Sequence, residues 1–308
     1  MSLDLPARLQ LRADTFACVR AFFADRGVLA VDPPSLMAAP VTDPSIEVPV
    51  AVDANGRRLG YLQSSPEYAM KRLLAAGAGD CYALGSAFRV DEVSPRHRLE
   101  FTLLEWYRVG WDDGQLRAEL SDLLMALLGC QPATAISYRD AFQAAVGLCP
   151  LTASTAALLA RVQSEFDYQG PVLTRDDALQ LLCALKVEPG LGRHAPEYLV
   201  DYPPGQAALA RTRLDAQGDA VAARFELFYR GVELANGYWE LTCPDEQRSR
   251  FEADLAEREA RGLPAVPIDQ ALLDAMPTLP ACAGVALGMD RVMMLRAGVT
   301  DLADLSLF

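Results

Sequence analysis

Histidine, paired cysteine and long apolar runs are all scarce in this chain, and each scarcity closes a class of function. Two histidines, His97 and His194, placed as they are, support no Ser-His-Asp or Cys-His arrangement. The seven cysteines are scattered, odd in number and never spaced as Cys-x-x-Cys, which argues against a disulfide frame or a zinc site. They read as small buried hydrophobes in a reducing compartment. No segment reaches the ~18 apolar residues of a membrane span. Met1 to Arg12 alternate charged and apolar groups and lack the apolar core of a signal peptide. The cytoplasm is the expected address. Basic charge is also short: the net charge is −13, and only small clusters such as Arg96 to Arg98 stand out. A nucleic-acid surface is rewarded for a broad basic patch by counterion release. The balance therefore argues against a large tRNA footprint and leaves a local one open.

What is present is enough for a packed core: 308 residues, 51% hydrophobic and 22% charged. Apolar groups at helical spacing predict a helix over residues 7–26, closed by Gly27, then a short strand from Val28 to Val31. Ser65-Pro66-Glu67 opens a helix that runs to Gly77. Residues 81–91 and 100–109 read as a strand pair. Helical patterns follow at Leu116 to Leu128, Tyr138 to Val146, Ala156 to Phe166 and Arg175 to Leu185, and together read as a helical insertion over about 113–190. Strands return at Tyr198 to Tyr202 and over 225–241. Helices are expected over 245–261 and from Pro267 to Met276. Ala283 to Gly288 and Met289 to Ala297 read as strand, glycine, helix. Strands in the outer thirds with helices between them predict an α+β fold.

Four clusters carry chemistry. Phe88-Arg89-Val90-Asp91, then Arg96 to Tyr107, forms two strands joined by a basic loop. Strand alternation puts Phe101, Leu103, Glu105 and Tyr107 on one face. The hairpin then offers a guanidinium for phosphate, a ring for a base, and a carboxylate–phenol pair. In Glu233 to Glu240, the Asn236-Gly237 pair is a hairpin signal. A turn there would set Glu233 opposite Glu240, a pair suited to Mg²⁺ or equally to solvent. Gly284 to Arg291 is a strand, a glycine (Gly288) that permits close approach, and an arginine in the first helical turn. Ser64-Ser65-Pro66-Glu67 is a helix cap whose Ser65 and Glu67 can also meet an amine. His97 gains interest from its flanking arginines; His194 has no such context.

In this order, the clusters resemble the catalytic core of the class II aminoacyl-tRNA synthetases, lysine branch. Arg26-Gly27-Val28 to Pro33-Pro34 resembles motif 1, the family's dimer element; Phe88 to Tyr107 resembles motif 2 and Gly284 to Arg291 motif 3. The resemblance begins at the helix before motif 1, and no anticodon-binding domain is expected beside it. The chain is most similar to the stand-alone branch that modifies elongation factor P. The resemblance implies one catalytic domain over 1–308: a class II-type antiparallel β-sheet flanked by helices.

It also implies roles. Arg89 and Arg291 would hold ATP phosphates, with His97 and Arg98 near them. Phe101 would stack on adenine, and Asp91, Leu234 and Gly288 would line the nucleotide. Glu233 and Glu240 would bind Mg²⁺ or a substrate amine. Ser65, Pro66, Glu67, Glu105, Tyr107 and Ala286 would form the pocket for (R)-β-lysine or lysine. Asp91 replaces the family's Glu, and Arg98 replaces an Asn. Ala286 replaces a glycine, and its methyl favours a β-amino acid. The implied reaction is formation of an aminoacyl-adenylate and its transfer to a lysine ε-amine of elongation factor P. Two alternatives stand beside it: an enzyme acting on tRNA or a small amine, and a silent lysine- or nucleotide-binding paralogue.

Overall fold

The computed structural model describes residues 3–90 and 94–307. Helix α1 (Leu5–Ala24) is capped by Asp4, which accepts the Ala7 N–H, and buries Val19, Phe22 and Phe23. Strand β1 (Leu29–Ala30) follows. Then β2 (Leu36–Met37), β3 (Val50–Val52) and β4 (Arg58–Leu62) make a small antiparallel sheet in the order β2-β4-β3. Helix α2 (Glu67–Ala75), β5 (Cys81–Phe88), β6 (Glu100–Val109) and α3 (Asp113–Leu128) come next. Asp112 and Gln115 form a reciprocal capping box at the start of α3, and Gly129 ends it in the left-handed conformation.

The contacts divide the chain into two compact units, one of residues 1–129 with 241–308, the other of Cys130–Glu240. The second begins with β7 (Thr134–Ser137), α4 (Tyr138–Val146), α5 (Thr155–Phe166) and α6 (Arg175–Leu182). It continues with β8 (Glu197–Tyr202), β9 (Thr212–Leu214), β10 (Ala220–Tyr229) and β11 (Val232–Trp239). Its strands run in the order β11-β10-β8-β7, with β9 on β10. Tyr138, Phe142, Leu158, Leu179, Leu182 and Phe228 join its helices to its sheet in one core. The first unit then resumes with α7 (Pro244–Ala260), α8 (Gln270–Ala275), β12 (Cys282–Gly288) and α9 (Met289–Ala297). The α+β expectation holds. The strands expected over 225–241 are β10 and β11, and they meet at Arg230-Gly231.

In the first unit, β1-β5-β6-β12 lie side by side, antiparallel except for β1 and β5. Cross-strand partners share a face, and the two faces differ in bulk. One carries Tyr82, Trp106 and Val285 in register. Phe23 of α1 stacks on Tyr82 at 4.6 Å and meets Trp106 at 5.3 Å, and Trp106 Nε1 donates to Glu119 of α3 at 3.0 Å. This is the packed side. The other face sets Tyr107 between Cys81 and Gly284, Glu105 between Ala83 and Ala286, and Leu103 between Gly85 and Gly288. Helix α2 covers one end of it, where Met70 and Leu74 join Cys81, Ala83, Tyr107 and Cys282. Small residues floor the rest: a Cβ added at Gly85 would meet nothing within 4 Å. The face with large side chains is packed, and the face with small ones is open at Gly85.

Candidate active site

Glu105 lies at the centre of that small-residue floor. It is 2% exposed. Ser65 Oγ donates to its Oε2 at 2.5 Å and Tyr107 OH to its Oε1 at 2.8 Å. Burial pushes its pKa up to about 7, the nearby Glu67 carboxylate adds to the rise, and the two hydroxyls and Lys71 oppose it. Ser65 Oγ also accepts the Glu67 N–H at 3.1 Å, so the turn into α2 fixes the hydroxyl that holds Glu105. Pro66 is the residue before the first turn of α2. Glu67 is paired at 2.7 Å with Lys71, whose side chain is 2% exposed. Lysine occurs at only two positions, 71 and 186. The structure therefore gathers Ser65, Pro66, Glu67, Glu105, Tyr107 and Ala286 around one carboxylate. Lys71 and Ala83 join them unforeseen. Lys71 reads from sequence as an ordinary (i, i+4) helix pair, and only its burial marks it. Both oxygens of Glu105 rest on neutral hydroxyls, so an incoming ammonium would restore and neutralise its charge.

Arg89 and Phe101 lie at the open end of the same hairpin. The Arg89 N–H donates to Leu99 O at 3.0 Å, and its guanidinium stands over the Phe101 ring at 5.3 Å. Arg89 Nε is buried with no hydrogen-bond partner among the described residues, a donor that suits an anionic oxygen. At the same end of the sheet, Arg291 in the first turn of α9 donates from Nη2 to His97 Nε2 at 2.9 Å. A guanidinium can only donate, so Nε2 accepts and the ring proton sits on Nδ1. There it meets Ser94 Oγ at 2.7 Å. Gly288 immediately precedes α9, and Arg98 is exposed in the hairpin loop. Asp91 lies outside the described residues.

The second unit overturns one expectation. Glu233 and Glu240 do not face each other across a turn. β11 runs unbroken through Asn236-Gly237, and the hairpin with β10 turns at Arg230-Gly231, whose φ angles are 52° and 71°. Seven residues along one strand separate the two acids by about 23 Å at ~3.3 Å per residue. They cannot flank one ion. Gly237 serves packing instead: it pairs with Phe225, and a Cβ there would stand 2.3 Å from that ring. Asn236 accepts from Arg224 Nε at 3.3 Å and donates to Tyr238 OH at 3.0 Å. Glu240 is fully buried in a bridge to Ala210, and Leu234 is a core residue.

The acid that Glu233 does approach is Glu226. Burial raises the Glu226 carboxyl first, Glu233 raises it further, and Arg224 opposes both. Burial and both glutamates push nearby Glu188 up to about 7. Arg224 pairs with Glu226, donates to Gln206 O at 2.8 Å, and lies over the Tyr202 ring at 4.5 Å. The sequence signal was there: Arg224 and Glu226 are charges two apart in an apolar strand. No group of three or more His, Cys, Asp or Glu with metal-site geometry occurs among the described residues. A two-carboxylate set is what Mg²⁺ takes when phosphate oxygens and water complete its shell. Glu226 and Glu233 fit that ion, and Glu233 with Glu240 does not.

The profile of the family "tRNA synthetases class II (D, K and N)" matches residues 2–308, across both units. The chain is similar to the elongation factor P–(R)-β-lysine ligase of Salmonella gallinarum, with 45% identity over all of this chain and 96% of that protein. It is similar to the ligase of the same name from Vibrio vulnificus, with 45% identity over 98% of this chain and 95% of that one.

Proposed function

The chain belongs to the class II tRNA synthetases of the D, K and N branch, and from that premise we propose that it is an ATP-dependent ligase for (R)-β-lysine or lysine. It activates the amino acid as an aminoacyl-adenylate and transfers it to a lysine ε-amine of elongation factor P. The observation that carries this reading is Glu105: a buried carboxylate gripped by Ser65 and Tyr107 on a floor of Ala83 and Ala286, in the hairpin whose far end carries Arg89. A slot of that kind takes an ammonium-bearing chain and leaves its carboxyl to face the phosphates.

The residues divide the work. Glu105 and Glu67 orient the substrate's amines, and the adjoining small residues admit its methylene chain. Phe101 offers its ring to adenine. Arg89 holds the α-phosphate while the amino-acid carboxylate attacks it and pyrophosphate leaves. Arg291, with His97, steadies the terminal phosphates, so the developing charge meets fixed cations. Within the second unit, Glu226 and Glu233 would hold Mg²⁺, whose charge would be available to anionic oxygens. The ε-amine of the protein substrate then attacks the adenylate carbonyl, forming an amide and releasing AMP.

We further propose a homodimer through the motif 1 segment. Leu29, Leu36, Val50, Val52 and Leu59, all 45–56% exposed, supply an apolar surface on β1 and the small sheet. Both compact units count as one catalytic domain, and the cytoplasm is the site of action. No helix among the described residues is long and apolar enough to cross a membrane.

The test is ATP–pyrophosphate exchange with (R)-β-lysine or L-α-lysine, followed by transfer to purified elongation factor P. Exchange dependent on one of these diamines, and a matching mass increase on elongation factor P, is the expected result. Exchange with neither, or charging of tRNA alone, would contradict the proposal.

A further inference from the structure

We propose that Arg12 of α1 is a positioning residue for the nucleotide end of the site, although it precedes the nucleotide-binding residues by some 80 to 280 positions. The inference rests on the reading of Arg89, Phe101 and Arg291 as the ATP-binding groups. Arg12 Nη2 donates to Thr102 Oγ1 at 2.9 Å, and its Nη1 lies 3.5 Å from Asp290 Oδ1. The other Asp290 oxygen, Oδ2, accepts the Thr102 N–H at 2.6 Å. The three residues close a ring joining α1, β6 and the first turn of α9. Thr102 follows Phe101, and Asp290 precedes Arg291. Arg12 therefore ties the ring expected under adenine to the guanidinium expected on the phosphates, through their immediate neighbours. The Phe16 ring, 4.6 Å from its guanidinium, holds Arg12 in place.

Arginine suits this task because its planar, pre-organised fork presents donors to two separated oxygens in fixed geometry, whereas an ammonium is a compact point charge on a flexible stem. Partial burial raises the Asp290 pKa, and the Thr102 N–H, then the Arg12 and Arg98 guanidiniums, oppose that rise and favour the charged form. Without Arg12, the backbone bond from Thr102 remains, but its acceptor loses a counter-ion and β6 loses its side-chain tie. The start of α9 is then free to shift against Phe101, and a shift of about 1 Å in a reacting geometry costs on the order of 10²-fold.

The experiment compares Arg12→Met, Arg12→Lys and Thr102→Val by calorimetric titration with Mg-ATP and by pyrophosphate exchange, alongside melting temperatures. For Arg12→Met the account expects Kd and KM for ATP to rise by about tenfold or more, while KM for the amino acid stays within about twofold. Arg12→Lys should fall between it and the parent. Thr102→Val should shift the same ATP constants, and the double variant should be no worse than Arg12→Met alone, as for members of one network. Unchanged ATP affinity and kcat in Arg12→Met would overturn the inference. So would equal rises in both KM values with a lowered melting temperature, the signature of general loosening. A parent protein that binds no ATP at all would instead sink the functional reading on which the inference rests.

Discussion

Glu105 in one unit and Glu226 in the other are both desolvated glutamates with raised pKa values, yet each is neutralised differently. Glu105 rests on two hydroxyls, and its nearest lysine is engaged by Glu67. Glu226 is paired with a buried arginine and crowded by a second carboxylate. A buried charge without a complete partner is costly, so each arrangement says what is missing. A lone carboxylate in a narrow slot is complementary to an organic ammonium. Two carboxylates sharing one arginine are complementary to a compact divalent cation.

The largest effect expected from this contrast is on Glu105. Glu105→Gln keeps the shape and removes the charge, with one hydroxyl still donating to the amide oxygen and the other turning to accept from the amide NH2. Losing one member of a buried charge pair costs about 3–5 kcal/mol, so amino-acid-dependent exchange should fall by roughly 10²- to 10⁴-fold, with no loss of melting temperature. Glu226→Gln should behave oppositely in kind. It leaves Arg224 without its carboxylate, costs about 3–5 kcal/mol of stability, and raises the Mg²⁺ concentration for half-maximal exchange without changing KM for the amino acid. Equal responses of the two variants would erase the distinction.

pH sharpens the comparison. Glu105 has a folded pKa of about 7 against an ordinary 4.5. The folded state holds a proton there that the unfolded chain has already released. This group's contribution to stability is therefore fully present below about pH 4.5 and is lost as pH rises to 7. Denaturant melts of the empty protein should show that decline, and Glu105→Gln should flatten it. Amine binding at pH 6 should release a proton, read as a dependence of calorimetric heat on buffer ionisation enthalpy. The smallest effect concerns selectivity. Ala286→Gly removes one methyl beside Glu105 and should shift the preference between (R)-β-lysine and L-α-lysine several-fold toward the α-isomer, within the ~1–3 kcal/mol that one methylene commands.

Much of this was legible in the sequence where local pattern decides structure. β6 occupies residues 100–109 as expected, and α4 and α9 match their expected bounds. Alternation alone put Phe101, Glu105 and Tyr107 on one face. The failure at Glu233 to Glu240 has a specific cause. Asn-Gly is a turn signal only when no neighbour needs its small size, and Phe225 does. Arg230-Gly231 took the positive φ values instead. The small sheet β2-β4-β3 went unread because β2 and β3, of two and three residues, carry no periodicity and leave the five-residue β4 without a legible partner. Lys71, Arg12 and Asp290 were invisible because their significance lies in burial or in partners remote in the chain.

The most direct test of the account is pyrophosphate exchange by the parent protein and Glu105→Gln, side by side, with (R)-β-lysine and L-α-lysine. The account predicts robust exchange by the parent with at least one of these diamines and loss of about two orders of magnitude or more in the variant, at unchanged ATP affinity. Full activity in Glu105→Gln would contradict it.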